Sequence, residues 1–82
     1  MDATIFNAVI SSIVTTTESK MSTISLINEY THATLKSNDK GEVWMEASKD
    51  DILKSKMTED ELMTLHKGGW ICDDDVLKLY FN

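Results

Sequence analysis

The 82-residue chain is predicted to be all-α, a small single-domain bundle of four to five short helices. Two groups of apolar residues recur at spacings of three and four, the period of a helix with one buried stripe. Two hydroxyl-x-x-acid signatures stand where helices begin. A double glycine follows a basic pair, in the order expected where a helix closes.

The first stripe is Ile5, Phe6, Val9, Ile10, Ile13 and Val14, with Asn7, Ser11, Ser12 and Thr15 opposite. The β-branched run Thr15-Thr16-Thr17 is a weak helix former and is expected to fray the end. A strand is the competing assignment for this segment. Ser22 or Thr23 can cap a second helix, whose stripe is Ile24, Ile27, Tyr30, Thr31, Thr34 and Leu35. Lys36 to Glu42 reads as a polar turn around Gly41. Val43 to Met45 is too short to classify, and a brief extended piece fits it.

Ser48-Lys49-Asp50-Asp51 is a relaxed capping box and Thr58-Glu59-Asp60-Glu61 a full one. They predict helix starts near residues 49 and 59. Ile52, Leu53 and Met57 supply the apolar side of one helix, and Leu62, Met63 and Leu65 that of the next. The segment "HKGGWICDDD", His66 to Asp75, then reads as stop, turn, anchor and start. His66 and Lys67 suit a C-terminal dipole. Gly68 is expected to take the left-handed closing conformation. Trp70 and Ile71 plug the joint. Asp73 caps a last helix, with Asp74 and Asp75 in its first turn and Val76, Leu77, Tyr80 and Phe81 facing the body.

Residues 1–82 suffice for one domain, which at ~0.05–0.15 kcal/mol per residue is stable by roughly 4–12 kcal/mol. A core plus a deep cleft is difficult at this size. The single Cys72 cannot form an internal disulfide, which fits a reducing compartment. No run approaches the ~18–20 apolar residues of a membrane span. Asp2 stands where a signal peptide would be basic, so direct membrane insertion is not expected.

The net charge is −6, with −4 of it in residues 58–82, where six acids meet two bases. Nucleic-acid binding needs cations that displace counterions from phosphates, and this chain has no such patch and no arginine. The last two predicted helices have helix-turn-helix proportions. Three Asp at the amino end of the second would be repelled from DNA.

Other chemistry is equally sparse. Cys72, Asp73, Asp75 and His66 are ligand types without the paired spacing of a zinc site. Three adjacent Asp do not make a calcium loop. The three acids also occupy the positive helix end that a phosphate would need. His32 and His66 lie on different predicted helices, and nothing fixes either near Cys72. The expectation is a non-enzyme without cofactor or metal. What remains is surface. Trp44, Trp70, Tyr80 and Phe81 are a large aromatic allotment for so small a fold, and two or three of them are expected in the core. Trp70, Tyr80 and Phe81, with Asp73, Asp74 and Asp75, are the expected partner-binding residues, suited to a basic protein.

The segment "ESKMSTISLINEYTHATLKSND", Glu18 to Asp39, and the ending "GGWICDDDVLKLYFN" resemble the RIII rapid-lysis proteins of T-even-like bacteriophages. That resemblance implies a cytoplasmic antiholin in the infected bacterial host. Such a protein binds the soluble N-terminal segment of the phage holin and supports lysis inhibition, beside a periplasmic antiholin. It transfers no binding residues, and self-association stays open. The alternative is a small acidic phage protein that inhibits a host nucleic-acid-binding protein by charge mimicry. A charge mimic would release its target as salt rises, whereas an aromatic contact to holin would persist.

Overall fold

A computed structural model describes residues 1–81 and corrects the all-α expectation. The chain is mixed α/β. In order it forms α1 (Ala3–Ser11), α2 (Lys20–Ile27), β1 (Thr34–Ser37), β2 (Val43–Ser48), α3 (Lys49–Lys54), α4 (Glu59–Lys67), β3 (Ile71–Asp73) and β4 (Val76–Tyr80). The strands make one antiparallel sheet in the order β1-β2-β4-β3.

The helices that form are the ones with local start signals. Asp2 caps α1 by accepting from the Thr4 N–H at 2.6 Å, and Phe6 and Val9 enter the core. The helix stops at Ser11, before the Thr run, where the Ser12 hydroxyl donates to the Val9 carbonyl. Ile13 thus leaves the stripe and is fully exposed. Ser19, not Ser22 or Thr23, caps α2. Ser48 caps α3, and Thr58 with Glu61 closes a full capping box on α4, so both boxes start helices at 49 and 59.

The second predicted stripe is cut in two. Asn28 ends α2, and its side-chain oxygen accepts from the Ala33 N–H at 2.9 Å. Thr34 and Leu35 then pass into β1, opposite Glu46 and Met45. The last predicted helix is absent. Asp73 and Val76 are cross-strand partners, so Asp74 and Asp75 form a two-residue hairpin turn. Asp74 takes φ +58°, a conformation Asp adopts more readily than most residues. Asp73 therefore caps nothing.

Gly68 is also corrected, since its φ is −83°. The left-handed residue is Gly69, at φ +106°. Gly68 is needed for space instead, because a Cβ there would overlap the Thr23 methyl group. Thr23 is wholly buried. It donates to the Lys20 carbonyl at 2.7 Å and accepts from the Trp70 indole N–H at 3.0 Å.

Burial alternates along β4, with Leu77 and Leu79 enclosed and Val76, Lys78 and Tyr80 half-buried. Leu77, Leu79 and Ala47 point at the helices and join Phe6, Ile27, Ile52, Leu62, Leu65 and Trp70 in one core. The residues between them face the other way. All four helices therefore serve one side of the sheet.

A candidate protein-docking face

Register places the outward residues in three rows across the sheet. Lys36, Trp44 and Tyr80 form the first; Thr34, Glu46, Lys78 and Ile71 the second; Ser48, Val76 and Asp73 the third. None of these described residues is fully buried. An antiparallel sheet with one solvated face normally carries polar residues there. This one carries Trp44, Tyr80, Val76 and Ile71, and Ile71 is 46% exposed.

The aromatic pair is held in place. The Trp44 and Tyr80 rings sit 5.6 Å apart and tilted by 40°, as expected of cross-strand partners on one face. The Lys78 ammonium lies 5.3 Å from the centre of the Trp44 ring and pairs with Asp73 at 2.9 Å. That bond to Asp73 raises the Lys78 pKa above the ordinary lysine value. The Trp44 indole N–H donates to Glu46 at 3.3 Å. The charges at the centre of the face are thus already partnered, while Lys36 and Asp73 mark opposite corners on the two edge strands.

The predicted site residues do not form one surface. Tyr80 and Asp73 share the open face, and Asp74 and Asp75 adjoin it in the hairpin turn. Trp70 is completely enclosed and contributes no surface. Phe81 follows Tyr80 with the opposite orientation of the strand pleat, 40% exposed, under the Lys20 ammonium at 5.9 Å. The sequence argument missed Trp44, Ile71, Val76, Lys36 and Lys78 as members. The available signal was period-two alternation in Trp44-x-Glu46-x-Ser48 and Val76-x-Lys78-x-Tyr80.

The groups that suggest catalysis are occupied elsewhere. Burial, followed by the nearby Asp73, Asp74 and Asp75, pushes the Cys72 thiol up, with Lys49 opposing; the thiolate nucleophile is disfavoured. His66 spans the Ser12 carbonyl at 2.6 Å and the Trp70 carbonyl at 3.3 Å, tying α4 to the end of α1. Among the described residues no three His, Cys, Asp or Glu side chains converge as a metal site would require. A surface hollow beside the turn is lined by Ser48, Lys49, Asp50, Leu53 and Asp75, and Asp50 is already paired with Lys54 at 2.9 Å. Among the described residues no helix is long and apolar enough to cross a membrane.

Comparison with known protein families, curated proteins and solved structures gives no match. None of these comparisons identifies the chain as an RIII rapid-lysis protein.

Proposed function

We propose that this chain is a non-enzymatic binding protein that docks a protein partner on the open face of its sheet. In this reading the partner is the soluble N-terminal segment of a phage holin, and the protein acts as an antiholin in the cytoplasm of the infected host. The observation that carries the docking reading is the Trp44–Tyr80 pair, placed with Ile71 and Val76 on a face that none of the described helices covers. Aromatics on a rigid scaffold supply contact area at low entropic cost, and they dominate the energetic centres of interfaces. The holin is supplied by the sequence resemblance.

The test is a titration of the full chain with a holin's soluble N-terminal segment, observed through the two indole N–H signals by NMR. Binding on the face shifts the Trp44 indole and leaves the enclosed Trp70 indole in place. It persists at high salt, since apolar burial dominates it. Absence of saturable binding would remove the holin from the proposal. Release of the target by moderate salt would instead favour charge mimicry.

A further inference from the structure

We infer that the open face takes a single amphipathic helix, with its amino end at the Asp73 corner and its carboxyl end at the Lys36 corner. This rests on the docking reading and specifies its partner.

Size selects the occupant. Four strands ~4.8 Å apart and about five residues long present roughly 19 by 17 Å, or about 320 Å². A specific protein–protein interface buries about 800 Å² on each side, so this face is too small to hold a second copy of the chain by itself. One helix is about 10–12 Å across and rises ~1.5 Å per residue, so about 13 residues cover the ~20 Å between the two corners.

Chemistry selects the same occupant. Trp44, Tyr80 and Ile71 lie to one side of the line between the corners and Val76 to the other. A stripe of apolar side chains at i, i+3, i+4 and i+7 meets both groups. Beneath the middle of the helix, Lys78 is paired with Asp73 and Glu46 accepts from Trp44. Docking there leaves neither charge without a partner.

Charge sets the direction. Asp74 and Asp75 are exposed at one corner beside the Asp73–Lys78 pair, and Lys36 is exposed at the diagonal one. A helix carries partial positive charge at its amino end and negative charge at its carboxyl end. The acidic corner therefore attracts the amino end, most strongly when Lys or Arg occupies its first turn. Lys36 attracts the other end, most strongly when Glu or Asp occupies the last turn.

Two synthetic 14-residue helical peptides with the same leucine stripe test this on the full chain. One has lysines in its first turn and glutamates in its last; the other has them exchanged. In a two-dimensional amide and indole NMR titration at low salt, the first should shift Trp44, Ile71, Val76 and Tyr80. It should bind roughly threefold to tenfold tighter than the second, the effect of a few exposed charge pairs. Lys36→Glu should reduce that preference without moving the melting temperature. Ile71→Glu, on an exposed edge, should abolish the shifts while the chain still melts cooperatively.

Equal or better binding of the exchanged peptide would overturn the orientation. Shifts confined to the helical side, or no binding of either peptide at millimolar concentration, would overturn the site. Binding of the matched peptide beside failure of the holin segment removes the holin and supports the helix.

Discussion

The two faces of β4 are built from neighbouring residues under different constraints. Leu77 and Leu79 are completely enclosed against the helices, whereas Lys78 and Tyr80, which alternate with them, stand on the uncovered side. Every helix and the tryptophan of the joint serve the first face. The second carries Trp44, Tyr80, Val76 and Ile71 among charged residues, and no described helix is laid over it. In the proposed reading, stability and recognition are separated by one residue step along a single strand.

The largest expected effect lies on the closed face. Leu77→Ala should destabilise by about 2–5 kcal/mol through lost transfer energy and a cavity, measured by urea unfolding. For a domain of this size that approaches the whole stability. A change below ~1 kcal/mol, the range of exposed sites, would show that the two faces are not distinct.

Gly68→Ala comes next, with a loss of about 1–3 kcal/mol from overpacking against Thr23. Thr23→Ser removes the offending methyl and keeps the hydroxyl that receives the Trp70 N–H. The double variant should recover much of the loss. A penalty unchanged in the Thr23→Ser background would mean that backbone conformation, not space, requires the glycine. Thr58→Ala should lower stability by about 0.5–2 kcal/mol, because the α4 cap loses its acceptor.

The same capping box predicts a pH dependence. The Thr58 backbone N–H first, and then the Tyr30 hydroxyl at 2.7 and 2.8 Å, hold the Glu61 carboxyl below its ordinary value. A carboxylate favoured in the folded state binds fewer protons there than in the unfolded state. Its contribution is therefore complete above the ordinary glutamate pKa and fades as pH falls through the lowered one. Melting temperature against pH should drop less steeply on the acid side in Glu61→Gln. Parallel profiles for the two proteins would place the acid sensitivity elsewhere.

The sequence makes the starts of α3 and α4 legible and the sheet largely illegible, and the reason is range. A cap is a contact over three residues, so Ser48 and Thr58 announce α3 and α4 unaided. β4 exists because it pairs with β2, whose residues lie 28 to 36 positions earlier. Val76, Leu77, Tyr80 and Phe81 match a helical stripe as well as Leu77 and Leu79 match a strand, and only the distant partner decides. The Asp triplet is ambiguous for a chemical reason. A short carboxylate side chain suits both a helix amino end and a tight turn with positive φ. The same range effect hid the candidate site. Trp44 and Tyr80 are 36 positions apart and meet only through register. Tyr80 and Asp73, which sequence reasoning did select, reached the open face by a route it did not foresee.

The central claim is that recognition lives on the uncovered face and not on the helical side. Ile71 is 46% exposed on that face, and Ile5, on α1, is 40% exposed on the opposite side. Calorimetric titration of the holin segment into Ile71→Glu and Ile5→Glu, each first shown to melt like the parent, sets the two sides against each other. The account predicts that Ile71→Glu removes the binding heat and Ile5→Glu leaves the affinity unchanged. Loss of binding in Ile5→Glu with retention in Ile71→Glu would contradict it and place the interface on the first helix.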